Sequence, residues 1–517
     1  MDHTINKPRG FLNRIERIGN AMPNITILFL YALIICWLLS FLLSFIEFDY
    51  INPRTSQRIE VINMFGYQQI IQFLTMMVHN FINFPPLGIT LVATLGIGIA
   101  EGSGFIKTAL KKMLKLISPK MLTPTVAFVG IFAHVVSDSA YVIIMPVSAL
   151  IFYLNGRHPL AGIATAFAGL AGGFSASYTP SKIDPIMQSF TQNAAQIIDS
   201  NYTVNVLCNY FLSFGSTFLV IGVCWFITEK IVEPWLNKTC PIDTHRTIDI
   251  AENMQTISPA EAKGFTWAGF SIIGLIVLLI VLLYPDSSPF RAPNGSLTSS
   301  EAPIMKAIVP LLFIFFAVPG LVYGILSGTF KSSKDVTRSM EKVLTALISF
   351  LVFSFFAAQF LYSFDKSNLG ALLSLSGAEL LKTLHMPSGL TILGVILLTA
   401  VINLIITSAT SKWAIMAPVL IPMLMSVGIS PELTQAAFRI SDSAVNVCTP
   451  MFAFYPLILS YCNKYCEKAG IGTLCSMMIP YTIGLLIALS AMLYFYWWFD
   501  IPLGFDSRYS YIPGMIK

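Results

Sequence analysis

Two polar interruptions in an otherwise apolar chain decide the predicted fold. The stretch "VSDSAYVIIMPV" runs from Val136 to Val147, and "TSATSKWAIMAPV" runs from Thr407 to Val419. Each places hydroxyl and charged side chains directly before an apolar run that contains proline. Such groups are tolerated at membrane depth only where they are buried in protein or line a cavity. The two stretches therefore predict the tips of two helical hairpins that stop inside a membrane and face each other across a substrate site.

The composition is that of a polytopic membrane protein. Of 517 residues, 55% are hydrophobic and only 11% are charged, and the mean hydropathy is +0.73. Nucleic acid is not indicated as a partner, because the basic residues lie in short clusters between apolar runs rather than along one face. The eight cysteines have no CxxC spacing, so we interpret them as packing residues, with neither a disulfide framework nor a zinc site.

Nine segments are predicted to cross the membrane, for which about 20 apolar residues are needed. The first follows a basic stretch and lacks a small-residue cleavage site after it, so we interpret it as a retained span rather than a signal peptide. The second is short and is expected to recruit the amphipathic stretch before it. The predicted spans are 25–46, 87–102, 204–227, 265–283, 304–326, 344–361 and 471–499, with two spans broken by proline and glycine at 160–198 and 433–459.

Two further apolar segments, 122–154 and 388–426, are 33 and 39 residues long. At about 1.5 Å per residue they reach roughly 50 and 58 Å, which is too short for two crossings of a core about 30 Å thick. Each is also polar near its middle, so each is predicted to be a re-entrant hairpin. The predicted fold class is an all-α polytopic membrane protein with nine transmembrane helices, two re-entrant helical hairpins and broken helices at the substrate site.

The charges orient these spans. With the amino terminus in the cytoplasm, most of the 31 Lys and Arg residues fall on the cytoplasmic side, as the positive-inside rule requires. The carboxyl terminus then lies on the periplasmic or extracellular side. Six charged residues are left at membrane depth, and every one lies in a hairpin tip or a broken span: Asp138, Lys182, Asp184, Lys412, Arg439 and Asp442.

An internal repeat supports this arrangement. Pro146 aligns with Pro418 and Phe167 with Phe438 at nearly the same offset. The order span, hairpin, broken span, span occurs twice, and an odd number of crossings separates the two units, so the second is inverted. Inverted repeats with discontinuous helices near the midplane are typical of secondary transporters. Half-helix amino termini there present N–H groups to an anion, while unwound carbonyls can hold a cation.

The repeat also divides the chain. Residues 1–102 are predicted to hold the first scaffold spans, and residues 103–200 hold hairpin 1 and its broken span, which belong to the transport part. Residues 201–363 supply connecting and scaffold spans. Residues 364–463 hold hairpin 2 and the second broken span, and residues 464–517 form the last span and the tail.

Asp184 is the first candidate site residue. It lies in "SYTPSKIDP", where Pro180 and Pro185 bracket a stretch that is not regular helix. A carboxylate at membrane depth is a functional-site hypothesis by default. A structural ion pair with Lys182 or another buried base is the alternative.

Arg439 and Asp442 are three residues apart in "FRISDSAVNVCTP" and are expected to share a helix face. Arginine suits bidentate capture of a carboxylate, so a substrate carboxylate could compete with Asp442 for it, and a permanent bridge is the alternative. Because an aspartate beside an arginine stays ionised to lower pH, Asp184 is expected to take up a proton more readily than Asp442.

The hairpin tips supply the remaining candidates. At the second tip, Trp413 offers a flat face to an aromatic ring, and Asn403 and Thr410 offer hydrogen bonds. The alternative for Trp413 is an interfacial anchor. At the first tip, the side chains either bind a coupling cation or only cap the half-helices, and they are Ser137, Asp138 and Ser139. The glycines of "LGIGIAEG" are interpreted as small-residue helix contacts rather than a phosphate loop.

Four motifs resemble the AbgT family, the p-aminobenzoyl-glutamate transporters. They are "NLIITSATSKWAIMAP", "ISPELTQAAFRISDS", "NVCTP" and "SYTPSKIDP", and the similarity extends over nearly the whole chain. The resemblance implies a homodimer in a bacterial inner membrane, with a scaffold part and a transport part in each subunit. It also implies a set of site residues: Asp184, Asn403, Thr410, Trp413, Pro431, Arg439, Asp442 and Pro450.

The function implied is secondary transport of aromatic carboxylates, by uptake of a folate catabolite or efflux of sulfonamide antimetabolites. Coupling to an ion gradient is expected, with H⁺ or Na⁺ as the coupling ion and no other cofactor or metal. Asp184 and Asp442, with the residues of the first tip, are the candidates for coupling. A citrate or dicarboxylate carrier is the alternative transporter. A channel and an intramembrane enzyme are remote, since neither HExxH nor GxSxG occurs.

Overall fold

The computed structural model describes residues 25–51, 57–115, 121–136, 140–241, 257–345, 347–450, 452–467 and 469–512. Within these ranges the regular elements are all helices, joined by turns, with two isolated β-bridges. The predicted all-α class is therefore confirmed.

The first half of the chain contains α1 (Ile25–Leu43), α2 (Tyr67–Ile82), α3 (Pro85–Gly102), α4 (Phe105–Lys115), α5 (Leu122–Val136), α6 (Ala140–Leu154), α7 (Pro159–Gly172), α8 (Ile183–Ala195) and α9 (Tyr210–Ile227). A π-helical turn at Thr228–Val232 joins α9 to α10 (Glu233–Thr239). The second half contains α11 (Pro259–Leu283), α12 (Pro303–Lys306), α13 (Ile308–Ser327), α14 (Ser333–Thr345), α15 (Ile348–Lys366), α16 (Leu369–Thr383), α17 (Ser388–Asn403), α18 (Ala409–Met425), α19 (Pro431–Val445), α20 (Tyr455–Tyr465) and α21 (Ile471–Trp498).

Seven segments of the described chain are long and apolar enough to cross a membrane. They include Tyr67–Gly102, in which α2 and α3 follow each other directly, so the short second span does recruit the amphipathic stretch before it. The predicted hairpin arms α5, α6, α17 and α18 have 15, 15, 16 and 17 residues, fewer than the roughly 20 that a crossing needs. The total of nine crossings stays a prediction.

The first half of each broken span is the most deeply buried helix of its repeat. Every residue of α7 is buried, and so is every residue of α19. Helix α7 packs on both arms of the first hairpin, and α19 packs on both arms of the second. A Cβ at Gly169 would lie 3.0 Å from the Cα of Ala127 in α5, so only glycine permits this approach. The aligned residues Phe167 and Phe438 lie on these equivalent helices.

The glycines of α3 make the close helix contacts that the sequence predicts. A Cβ at Gly96 would lie 2.7 Å from the Cα of Phe313 in α13, and a Cβ at Gly320 would lie 2.7 Å from the Cα of Ala100. Small residues let two backbones approach where lipid offers no hydrophobic drive to associate. Helices α3, α11, α13 and α14 therefore form a packed group separate from the hairpins.

Four helices were not predicted, and these are α4, α10, α14 and α16. Helices α4 and α14 are apolar on one face only, so neither has the continuous apolar run of a span. The interpretation of all eight cysteines as packing residues was also wrong. Cys240, after α10, and Cys466, after α20, form a disulfide with a Cα–Cα distance of 6.2 Å. The two cysteines are 226 positions apart, so spacing alone gives no sign of this pair.

Candidate functional site

Helix α19 is the centre of the candidate site because it is fully buried and yet strongly polar. Its 15 residues, PELTQAAFRISDSAV, include two carboxylates, an arginine and a glutamine. Buried groups of this kind are costly unless they are paired and hydrogen-bonded. Their partners come from the breaks and tips of both repeats, so the helix joins the two halves of the chain.

The first ion pair joins Arg439 to Asp184. The Arg439 Nη1 lies 2.7 Å from Oδ1 of Asp184, and the two side chains are 4% and 8% exposed. The other carboxylate oxygen accepts hydrogen bonds from the backbone N–H of Ser181 at 2.8 Å and from its hydroxyl at 3.0 Å. Arg439 also donates to the carbonyl of Phe174 from Nη2 at 2.8 Å and from Nε at 3.3 Å. The break between α7 and α8 is therefore held by an arginine of the other repeat.

The second ion pair joins Lys412 to Asp442, and both side chains are fully buried. The Lys412 ammonium donates to Oδ1 of Asp442 and to the amide oxygen of Asn403. Asn403 in turn donates to the backbone carbonyl of Asp442 at 3.1 Å, and Asn446 donates to Oδ2 at 2.9 Å. Lys412 lies in the first turn of α18, so the tip of the second hairpin is fixed to α19 by a charge.

These pairs correct the predicted partnership. The sequence placed Arg439 beside Asp442 on one helix face, but the partner of Asp442 is Lys412, and Arg439 reaches Asp184 instead. The expectation that Asp184 protonates more readily than Asp442 rested on the wrong pairing, so its premise fails. Side chains three apart on a helix are neighbours, but in a fully buried helix the groups of surrounding elements compete for the same charge.

Trp413 follows Lys412 in α18 and is fully buried, so it is not an interfacial anchor. Its ring centroid is 4.5 Å from that of Phe438, and its indole N–H donates to the hydroxyl of Thr191 at 3.0 Å. Thr191 donates to Gln435 at 2.6 Å. The indole therefore forms an interior wall that contacts both α8 and α19.

The predicted site residues thus fall into three groups. Asp184, Asn403, Trp413, Arg439 and Asp442 come together around α19. Three others lie around this centre: Thr410 is half-buried in the first turn of α18, Pro431 is the buried first residue of α19, and Pro450 is half-buried in the break after α19. The residues of the first tip, Ser137, Asp138 and Ser139, lie outside the described residues.

The sequence analysis missed one buried carboxylate. Glu432 is fully buried in the first turn of α19, where the hydroxyl of Tyr202 donates to its two oxygens at 2.9 and 3.1 Å. The motif "SPEL" reads as an ordinary helix start, with Ser430 as N-cap and an acid in the first turn, which favours a solvated position. The carboxyl-terminal tail covers this turn, since Ser430 donates its N–H to the carbonyl of Tyr509 at 3.2 Å.

Comparisons with known proteins agree with this architecture. Residues 10–511 match the model of the "AbgT putative transporter family". The chain is 31% identical over 490 residues to the p-aminobenzoyl-glutamate transport protein of Escherichia coli (strain K12), covering 95% of each chain.

Two solved structures are similar over most of the chain. The Alcanivorax borkumensis YdaH transporter, described as having an unusual topology, superposes with a TM-score of 0.87 at 36% identity, covering 93% of this chain and all of that one. Neisseria gonorrhoeae MtrF, described in terms of a class of antimetabolite efflux pumps, gives a TM-score of 0.88 at 38% identity, with 96% and 100% covered.

Proposed function

Because this chain belongs to the AbgT family of transporters, we propose that it is a secondary active transporter of p-aminobenzoyl-glutamate and related aromatic carboxylates. Family membership also confirms the prediction of a transporter rather than an enzyme. The relatives include a p-aminobenzoyl-glutamate transport protein and an antimetabolite efflux pump, and sulfonamide antimetabolites share an arylamine with the folate catabolite. The direction of net transport follows from the gradients imposed.

The observation that carries this proposal is the pair of buried bases, Arg439 and Lys412, each held by a carboxylate from another element. p-Aminobenzoyl-glutamate carries two carboxylates and one aromatic ring. A substrate carboxylate that binds Arg439 must displace Asp184, and one that binds Lys412 must displace Asp442. Trp413 follows Lys412 in the sequence, Phe438 precedes Arg439, and the two ring centroids lie 4.5 Å apart, so the two rings are the proposed aromatic contacts of the benzoyl ring.

Displacement also accounts for coupling to protons. A carboxylate that loses its base while it stays buried is strongly disfavoured in the charged form and takes up a proton instead. Substrate binding at Arg439 or Lys412 therefore draws a proton onto Asp184 or Asp442. Release of the substrate restores the ion pair and returns the proton, so the two fluxes are linked. Sodium is the alternative coupling ion.

Movement of the transport part against the scaffold supplies alternating access. Helix α8 carries Asp184 and packs on both the scaffold helix α3 and the hairpin helix α18. A displacement of α8 relative to α3, in an elevator or rocking motion, moves the two ion pairs together. The proposed working unit is a homodimer in the inner membrane. The distribution of lysine and arginine favours a cytoplasmic amino terminus and a periplasmic carboxyl terminus.

Reconstituted transport tests the proposal. Purified protein in proteoliposomes should move labelled p-aminobenzoyl-glutamate when a pH gradient is imposed, and reversing the gradient should reverse net flux. Arg439→Gln should abolish this flux, because the substrate carboxylate that displaces Asp184 then loses its planar, charged donor. Arg338→Gln is the matched control, since Arg338 is an exposed arginine in α14, remote in sequence from the site.

Three results bear against the proposal. Flux that is unaffected by either a proton or a sodium gradient would identify a channel. Competition by citrate without competition by p-aminobenzoyl-glutamate would favour the dicarboxylate carrier. Full activity of Arg439→Gln would show that the buried arginine is only structural.

A further inference from the structure

A cavity of about 350 Å³ lies beside the buried site and contains none of its charged residues. It is bounded by the end of α2 and the start of α3, by the second half of α8, by the end of α15 and by Pro418 of α18. We call this cavity the vestibule. Its volume is at the lower end of the range for small-molecule sites. It lies where scaffold helices meet transport helices.

Among the described residues, the polar groups of the vestibule are hydrogen-bonding side chains that include a carboxylate but no lysine or arginine. Its hydrogen-bonding groups are the amides of Asn80, Asn83, Asn193 and Gln196, the imidazole of His79, the hydroxyl of Tyr362 and the carboxylate of Asp365. Such a set accepts and donates hydrogen bonds but has no fixed positive charge to hold a carboxylate. Asp365, at the end of α15, supplies carboxylate oxygens as acceptors for an N–H donor.

The walls of the vestibule are aromatic. Phe84 and Phe190 meet edge to face with their centroids 5.7 Å apart, and Tyr362 lines the same space. Phe84 and Phe190 are 3% and 2% exposed, so the accessible aromatic surface of the vestibule belongs to the half-buried Tyr362. The combination of an accessible tyrosine ring, amides and one carboxylate fits an aromatic ring that carries an amino group.

The vestibule and the buried site lie along the same helix, α8. Asn193 follows Asp184 by nine residues, which places it about 13 Å further along the helix axis. Between them, Thr191 accepts the indole N–H of Trp413, and the neighbouring Phe190 already lines the vestibule. On α18, Pro418 follows Trp413 by five residues. The same two helices therefore wall both spaces.

We propose that the vestibule is a second binding site, which recognises the arylamine end of the substrate before its carboxylates reach Arg439 and Lys412. This inference rests on the proposed function and adds a role for the amino group, which the ion pairs do not recognise. The arylamine N–H groups donate to Asp365, and the ring lies against Tyr362. The two sites therefore recognise different groups of the substrate. Arg439 and Lys412 bind the carboxylates in the buried site, and Asp365 binds the amine in the vestibule.

A pair of ligands tests this assignment. Initial rates of uptake into proteoliposomes are measured for p-aminobenzoyl-glutamate and for benzoyl-glutamate, which lacks the amino group. In the wild type, p-aminobenzoyl-glutamate should have the lower KM. Asp365→Asn should raise its KM about tenfold, the equivalent of one hydrogen bond to a charged acceptor, with kcat retained. The KM for benzoyl-glutamate should not change. Glu301→Gln, which alters an exposed carboxylate outside the vestibule, is the control.

A labelling measurement separates recognition from a structural effect. Asn193→Cys, modified with a membrane-impermeant maleimide, should react more slowly in the presence of p-aminobenzoyl-glutamate and at an unchanged rate with benzoyl-glutamate. Equal KM shifts for both ligands in Asp365→Asn, or no shift for either, would overturn the vestibule site while wild-type uptake still upheld the proposed function. Failure of the wild type to transport or bind p-aminobenzoyl-glutamate would instead reject the proposed function, and the vestibule assignment with it.

Discussion

The identity of the two buried ion pairs makes a prediction that double-mutant cycles can test. Four neutralising substitutions are needed: Asp184→Asn, Arg439→Gln, Lys412→Met and Asp442→Asn. The side chains of both pairs are at most 8% exposed, so each single substitution leaves an uncompensated buried charge. Breaking a buried pair in this way costs about 3–5 kcal/mol, whereas removing both partners costs much less. The matched doubles should therefore cost no more than about 2 kcal/mol, against about 6–10 kcal/mol for the sum of the two singles.

The expected signal is measurable as a melting temperature. Unfolding entropies of about 2.1 cal/mol/K per residue give roughly 1.1 kcal/mol/K for a chain of this length, so each single substitution should lower Tm by about 3–5 °C. Thermal unfolding is followed in detergent by the reaction of a thiol-specific dye with the newly exposed cysteines. The doubles Asp184→Asn/Arg439→Gln and Lys412→Met/Asp442→Asn should each melt within about 2 °C of the wild type.

A crossed pair provides the control. Arg439→Gln/Asp442→Asn combines one member of each ion pair, so its effects should add or exceed the sum. Strong coupling in this crossed pair, together with additive effects in Asp184→Asn/Arg439→Gln, would refute the pairing described here. That result would restore the partnership that sequence spacing favours, three residues apart on one helix.

Three further predictions concern the rest of the molecule. Alkylation of the denatured protein should modify six thiols without reductant and all eight after reduction, because Cys240 and Cys466 are paired; eight without reductant would exclude the disulfide. Gly169→Ala should lower thermal stability by about 1–3 kcal/mol through overpacking against α5, whereas Gly222→Ala, which meets no atom within 4 Å, should not. Backbone N–H groups of residues 331 and 332 hold the pKa of Asp335 below its usual range. The ionised carboxylate therefore stabilises the first turn of α14 fully above the ordinary aspartate pKa. This stabilisation is lost as the pH falls through the lowered pKa of Asp335. Hydrogen exchange of these two amides, corrected for intrinsic rates, should lose protection only in that acidic range, and unchanged protection there would contradict the cap.

The sequence determined the architecture because membrane insertion imposes strong local rules. Few backbone structures are possible in lipid, since backbone groups must be hydrogen-bonded within the protein. This limits how a chain can fold where it has continuous apolar runs, prolines inside them or polar residues at their centres. The hairpins, the broken spans and the charged residues at their ends could therefore be predicted from short stretches. Amphipathic helices such as α4 and α14 were not predicted, because one apolar face does not distinguish a surface helix from a loop with apolar residues.

Only the tertiary structure decided which buried groups meet. Arg439 and Asp184 are 255 positions apart, and Cys240 and Cys466 are 226 positions apart, so no local pattern links them. Glu432 looked solvated until the carboxyl-terminal tail was seen to cover its helix turn. The physical reason is common to all three cases. A sequence fixes how much charge and polarity must be buried, but the partner of each group depends on the elements that pack around it.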